Sequence, residues 1–144
     1  MARALALADA AKEEIARLRE ALDALPVGMV VCDQTGREVV RSRRAVALFG
    51  DLQTDVLVAR TLTELLAAAR VSGRQVQTLE LTGPPARSVQ MTAERLASGG
   101  AVAVVEDTSE RRQLDAVRRD FVANVNHELR TSIGALGVLA EALA

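Results

Sequence analysis

The sequence predicts an α+β fold in which a five-stranded antiparallel sheet is flanked by N-terminal and C-terminal coiled-coil helices. Helix-forming residues dominate both ends of the chain, where apolar side chains recur at alternating spacings of three and four. The segment from Val27 to Glu106 instead contains short β-branched runs separated by turn residues. We therefore expect a helix over residues 1–25, a globular domain over residues 26–108 and a helical segment over residues 109–144.

The composition limits the kinds of partner. The chain has 144 residues, 49% of them apolar, no Trp, no Tyr, two Phe and a formal net charge of −1. The core must therefore be aliphatic, and the aromatic platforms on which proteins stack nucleic-acid bases are missing from the sequence. Acidic and basic residues are interspersed, without the basic surface that binds DNA or RNA. The expected partners are proteins, with no nucleic acid among them.

The chain has the sequence properties of a cytoplasmic protein. A single cysteine, Cys32, excludes an intramolecular disulfide and fits a reducing compartment. No segment has the roughly 20 consecutive apolar residues that a membrane-spanning helix needs. We expect a cytoplasmic location with no membrane segment in this chain, while a membrane anchor elsewhere in a longer parent protein stays open.

The N-terminal helix is predicted from Ala4 to Leu25, and Pro26 ends it because the residue before a proline is pushed out of the helical region. Its apolar residues form a heptad stripe, which can be buried against the helix's own domain or in a parallel dimeric coiled coil. We favour the dimer and keep the first alternative open. The stripe consists of Ala4, Ala8, Ala11, Ile15, Leu18, Leu22 and Leu25.

The middle segment predicts the order strand, strand, helix, helix, strand, strand, strand. Asp33-Gln34-Thr35-Gly36 gives a hairpin turn between the first two strands, and Gly50-Asp51 separates the two helices. The predicted elements are strands Val27–Cys32 and Glu38–Arg41, helices Arg43–Phe49 and Leu57–Ala69, and strands Gln75–Leu81, Ala86–Leu96 and Ala101–Val105.

Two features of this segment have ordinary structural explanations. Cys32 ends an apolar strand, a position typical of a buried small hydrophobic residue. Arg41, Arg43 and Arg44 are expected to form a solvated charged patch, although a contact with an anion or ligand stays open.

The element order from about Leu22 to Thr108 resembles that of PAS sensor domains. The resemblance includes the end of the last strand, where Asp107 and Thr108 match an acidic residue and a threonine that couple the sheet to the outgoing helix in that family. It implies a PAS-like fold and a sensory role.

The C-terminal helix contains the motif that points to chemistry. Residues 121–131 read FVANVNHELRT, and they closely resemble the H-box of sensor histidine kinases, whose core reads [SN]-H-E-L-[RK]-T-P. The chain's only histidine, His127, stands where that family has its phosphoacceptor. A spacing of three and four continues through the motif, at Leu114, Val117, Phe121, Val125 and either Glu128 or Leu129. Residues 109–144 therefore resemble a linker helix and the first part of a HisKA dimerisation and phosphoacceptor helix.

The residue types fit phosphoryl transfer. Imidazole side chains are largely neutral at cellular pH, and only the neutral ring can attack the γ-phosphorus of ATP. The resemblance implies that Glu128 accepts a hydrogen bond from one ring nitrogen and that Thr131 orients a water during dephosphorylation of the response regulator. Ser132 stands where the family usually has proline, which predicts a weaker kink after the motif.

The predicted function is the sensory and phosphoacceptor part of a two-component histidine kinase. The expected partners are a second copy, a response-regulator receiver domain and the ATP-binding catalytic domain of the parent kinase. We expect no cofactor in this chain, because no ATP-binding motif is present and ATP with Mg²⁺ would bind that catalytic domain. The chain should not phosphorylate itself alone, and its apolar pattern at Ala144 predicts a truncated helix. The alternative is a non-enzymatic dimerisation and ligand-binding module.

Overall fold

The computed structural model describes residues 1–49 and 52–144, and for residues 52–55 it describes the backbone only. The chain divides into two compact units, residues 1–108 and residues 109–144. The first unit contains helix α1 (Ala2–Ala24), strands β1 (Gly28–Cys32) and β2 (Glu38–Arg41), helices α2 (Arg43–Leu48) and α3 (Leu52–Ser72), and strands β3 (Gln75–Leu81), β4 (Arg87–Arg95) and β5 (Ala101–Asp107). The second unit is helix α4 (Ser109–Leu143).

The five strands form one antiparallel sheet in the order β2-β1-β5-β4-β3. The continuous apolar run of β5 occupies the central position, as its sequence predicts, because a central strand is covered by neighbours on both edges. Val30 of β1 lies opposite Ala103 of β5, and Met91 of β4 lies opposite Val105. The predicted α+β class with a five-stranded antiparallel sheet is confirmed.

The hydrophobic core lies between one face of the sheet and helices α2 and α3. Alternate residues of β1, β4 and β5 point into it, as the period of two in a strand requires. Phe49 is its only aromatic member, so the predicted aliphatic core is largely correct. The buried apolar residues are Val30, Cys32, Ala45, Leu48, Phe49, Val58, Leu62, Leu65, Leu66, Ala69, Val89, Met91, Ala93, Ala101, Ala103 and Val105.

Helix α3 is longer than predicted at both ends. It begins at Leu52 instead of Leu57 and ends at Ser72 instead of Ala69. Thr54 and Asp55 are residue types that commonly precede helices, and this composition hid the earlier start. The helix ends at Gly73, whose φ of 82° suits the left-handed residue after a helix and whose N–H donates to the Ala69 carbonyl. The predicted break at Gly50-Asp51 lies outside the described residues.

Helix α1 ends close to its predicted boundary, with Leu25 in an extended conformation before Pro26. None of its residues is buried, and Ile15 and Leu18 of the heptad stripe are more than half exposed. Within residues 1–49 and 52–144, no helix is long and apolar enough to cross a membrane.

We predict that Gly100→Ala strongly destabilises the first unit. A Cβ atom at Gly100 would collide with the backbone carbonyl oxygen of Cys32 in the neighbouring strand, which cannot move without disturbing the β1–β5 pairing. The free energy of unfolding in urea should fall by more than about 2 kcal/mol. Gly83→Ala is the matched control, because a Cβ there meets no atom within 4 Å. Equal stability of the two variants would contradict this account.

Candidate functional site

The motif around His127 lies on an uninterrupted helix. Helix α4 runs from Ser109 to Leu143 and passes through Ser132 without a break. Serine has a backbone N–H and no ring to clash with the preceding turn, so it can continue the helix where a proline would kink it. Gly134 and Gly137 also lie inside this helix, although each lowers helix propensity by about 1 kcal/mol relative to alanine.

His127 lies on the side of α4 opposite the apolar stripe. With 3.6 residues per turn, Asn124 and Thr131 lie within about 60° of His127 around the helix axis, whereas Val125 and Leu129 lie about 160° away. The stripe residues are exposed within the single chain, at 67% for Phe121 and 54% for Leu129. One side of this helix therefore carries uncovered apolar surface, and the other carries the imidazole.

The structure brings Thr131 against the backbone of His127. The Thr131 hydroxyl donates a hydrogen bond of 3.0 Å to the His127 carbonyl oxygen, one turn earlier on the same face. His127, Glu128 and Thr131 are all exposed. Among the hydrogen bonds of the described residues, none involves a ring nitrogen of His127, and the Glu128 contact implied by the H-box stays a prediction. The ring is accessible to a reactant on its exposed side.

The last strand ends in two contacts that fix residues Asp107 and Thr108 to β4. The Arg87 guanidinium donates to the Asp107 carboxylate at 3.2 Å, with both side chains about 30% exposed. Thr108 is 8% exposed, and its backbone N–H donates to the Ser88 carbonyl oxygen at 2.8 Å. The Thr108 hydroxyl lies 3.3 Å from both the carbonyl and the hydroxyl oxygen of Ser88. We call Arg87, Ser88, Asp107 and Thr108 the exit joint, because their contacts fix the end of β5 to β4 immediately before α4 begins.

A related contact fixes the end of α1. The Asp23 carboxylate accepts a hydrogen bond of 2.6 Å from the backbone N–H of Arg43, the first residue of α2. The adjacent Ser42 caps the same helix by accepting from the Ala45 N–H, and its hydroxyl also accepts from the Met29 N–H of β1. The end of α1, the start of α2 and strand β1 are therefore linked through polar contacts.

The arginine cluster of the sequence separates into different environments. Arg41 donates to both Glu38 carboxylate oxygens, at 2.7 and 2.8 Å, and its guanidinium lies 5.0 Å from the centre of the Phe49 ring. These hydrogen bonds lower the pKa of the Glu38 carboxyl below its ordinary value. Arg43 is exposed and pairs with Asp23, and Arg44 is exposed. Cys32 is buried, in agreement with its predicted structural role.

The sequence did not identify Asp23, Arg87 or Ser88 as coupling residues. Each contacts a partner 20 residues away in the chain, and no local motif indicates such a pairing. Among these contact residues, only Asp107 and Thr108 could be identified from the sequence, through the resemblance to PAS domains. Within the described part of the chain, no group of three or more His, Cys, Asp or Glu residues is arranged to hold a metal ion.

The sheet order and helix arrangement define a PAS-type sensor domain. The solved PAS domain from Bordetella pertussis BvgS matches the fold with a TM-score of 0.54 at 19% identity, covering 81% of this chain and 98% of that chain. A family model described as the PAS fold matches residues 16–126. The chain belongs to the PAS family.

The similar curated proteins are sensor kinases. The chain is 37% identical over 131 residues to the sensor-like histidine kinase SenX3 of Mycolicibacterium smegmatis, covering 82% of this chain and 33% of the relative. It is 26% identical over 143 residues to the sensor protein kinase WalK of Staphylococcus aureus strain Newman, covering 92% of this chain and 24% of the relative. The chain thus spans about a third or less of the length of these two relatives. Over this span the chain is similar to segments of sensor histidine kinases.

We predict that Thr108→Val weakens the exit joint without removing side-chain volume. Valine keeps the shape of threonine but cannot donate to Ser88, so the free energy of unfolding should fall by about 1 kcal/mol in urea denaturation. Thr78→Val on exposed β3 is the matched control and should change stability by less than about 0.5 kcal/mol. Indistinguishable midpoints for the two variants would show that the hydroxyl contact adds nothing.

Proposed function

We propose that this chain is the sensory and phosphoacceptor portion of a two-component sensor histidine kinase. His127 accepts the γ-phosphoryl group of ATP and passes it to an aspartate of a response regulator. The observation that carries the proposal is the placement of an exposed imidazole on the polar side of α4, opposite a continuous apolar stripe. The similarity to WalK of Staphylococcus aureus also supports the proposal. The alignment covers 92% of this chain and leaves about 12 residues outside it. Because 17 residues follow His127, the aligned segment includes His127.

The proposed chemistry needs a nucleophile, an orienting carboxylate and a hydroxyl that orients water for the later hydrolysis of the receiver's phosphoaspartate. A neutral ring nitrogen of His127 attacks the γ-phosphorus, the bond to the bridging oxygen breaks, and ADP leaves. Glu128 accepts the hydrogen bond of the other ring nitrogen and stabilises the positive charge that the ring gains. The receiver aspartate then attacks the phosphorus, and the histidine leaves. ATP and Mg²⁺ bind a separate catalytic domain of the parent kinase.

A homodimer is part of the proposal because the apolar stripes need a partner. Ile15 and Leu18 of α1 are 54% and 57% exposed, and Leu114 and Val117 of α4 are 64% and 61% exposed. Pairing each helix with its counterpart in a second copy buries these side chains. This burial stabilises the dimer by about 25 cal/mol for each Å² of apolar surface removed from water. Since Val125 and Leu129 of the α4 stripe lie about 160° from His127 around the helix axis, pairing through them leaves the imidazole exposed.

We assign a separate role to each of the three predicted segments. Residues 1–25 are an input helix, residues 26–108 a sensor domain, and residues 109–144 a linker and the first part of a HisKA helix. A signal in the sensor domain changes the register or rotation of the paired helices and so changes the access of His127 to its reactants. The parent protein acts from the cytoplasm, with any membrane anchor outside this chain.

We predict that His127→Gln abolishes phosphorylation of the chain. Incubation with a cognate ATP-binding domain and radiolabelled ATP should give a label on the unmodified chain that is stable in base and lost in acid, as expected for phosphohistidine. Glutamine keeps the helix but has no nucleophilic nitrogen. Asp115→Asn is the control, since it lies about three turns before His127 on the same helix.

Asp115→Asn should be labelled like the unmodified chain, and circular dichroism should show equal helix content in both variants. A label that persists in His127→Gln would refute the assignment. If His127 can be replaced without loss of any signalling response of the parent protein, the alternative of a non-enzymatic dimerisation and ligand-binding module would be correct.

We predict that Thr131→Ala slows dephosphorylation of the receiver without slowing phosphorylation of His127. Phosphorylation of His127 should stay within about twofold, because threonine is not the nucleophile. Dephosphorylation of the phosphorylated receiver should slow by about tenfold or more, because the hydroxyl that positions the attacking water is lost. Thr131→Ser keeps the hydroxyl and should retain most of this activity. The role of Thr131 would be wrong if alanine and serine gave equal rates.

A further inference from the structure

A small cavity in the sensor domain lies between α3 and the β1–β2 hairpin. Its volume is about 130 Å³, close to that of an engineered protein cavity that accommodates benzene. Buried apolar side chains line its inner end, including Cys32, Leu62 and Leu66, which are 2%, 2% and 7% exposed. Charged side chains line its outer part. The cavity therefore suits a molecule of about six heavy atoms with an apolar end and a polar end.

The charged side chains that line the polar end of the cavity have a net positive charge. Glu38, Arg41 and Arg70 line the cavity, which leaves one positive charge after the Glu38 carboxylate is set against one arginine. Arg41 is the arginine paired with Glu38, through two short hydrogen bonds. The half-buried Arg70 has no ion pair or hydrogen bond with any residue that the structure describes. A partly desolvated guanidinium without an acceptor favours binding of an anionic group.

The hairpin turn holds the Arg70 side chain in place. Gly36 has a φ of 86°, and the space where a Cβ would stand is occupied by the Arg70 guanidinium. Asp33 fixes the turn, because one carboxylate oxygen accepts from the Thr35 N–H and hydroxyl and from the Arg37 N–H, at 2.9, 2.6 and 3.1 Å. The wall beside Arg70 is therefore preorganised, which lowers the entropic cost of holding a ligand.

We propose that this cavity binds a small monocarboxylate, with the carboxylate on the Arg70 guanidinium and a short hydrocarbon chain against Cys32, Leu62 and Leu66. The planar fork of an arginine can donate two parallel hydrogen bonds to a carboxylate. The site lies within residues 1–108 and is measured by binding alone. Failure of this proposal would leave phosphoryl transfer at His127 unaffected.

Butyrate, butyramide and inorganic phosphate are the probes, used with the full chain. Butyrate and butyramide have the same size and differ in charge, while phosphate has the charge without the hydrocarbon chain. Titration calorimetry should give saturable binding of butyrate, with butyramide and phosphate at least about tenfold weaker. In NMR spectra of the labelled chain, butyrate should shift the backbone amide signals of Cys32, Gly36 and Leu66.

Arg70→Met tests the charge at the cavity. It should weaken butyrate binding at least about tenfold and leave butyramide binding unchanged. Arg60→Met is the matched control on the same helix, because Arg60 is 76% exposed, pairs with Glu64 and does not line the cavity. It should bind butyrate like the unmodified chain. The proposal is overturned if no probe shifts the cavity signals, if butyramide or phosphate equals butyrate, or if Arg70→Met binds butyrate undiminished.

Discussion

The two opposite sides of helix α4 impose the constraint on which the proposed function depends. The apolar stripe through Phe121, Val125 and Leu129 is costly to leave in water, whereas His127 must stay accessible to react. Because Val125 and Leu129 of this stripe lie about 160° from His127 around the helix axis, a partner helix can cover the stripe without covering the imidazole. The amphipathic pattern of this helix is therefore the physical link between assembly and chemistry.

Contacts at the two ends of the sensor domain tie its flanking residues to the rest of the first unit. Asp23 ties the end of α1 to the start of α2, and Arg87 with Ser88 holds Asp107 and Thr108 at the end of β5. A shift of the end of α1 would disturb its hydrogen bond to α2, and a shift of the end of β5 would disturb its hydrogen bonds to β4. Arg41 lines both the small cavity and a second pocket beside Arg19 and Asp23 of α1, so it lies between the ligand site proposed above and the end of α1.

Most of the fold was predictable because local patterns determined it. The alternation of apolar and polar residues in the sequence identified β4, the continuous apolar run identified β5, and Pro26 marked the end of α1. The start of α3 was missed because Thr and Asp occur both before helices and in their first turns. His127 and Thr131 were proposed from a contiguous motif, whereas the sequence did not indicate Arg70, since the role proposed for it depends on Gly36, 34 residues earlier in the chain.

Ser132 affects where helix α4 would bend. A proline after the motif would remove one backbone hydrogen bond and give the helix a preferred bending point. With serine, the backbone hydrogen bonding can continue, and α4 extends unbroken from Ser109 to Leu143. The glycines at 134 and 137 then become the weakest positions, because they have the lowest helix propensity and no side chain to pack. Bending in this chain would therefore concentrate about one turn beyond Thr131, so that His127, Glu128 and Thr131 move together as one rigid segment.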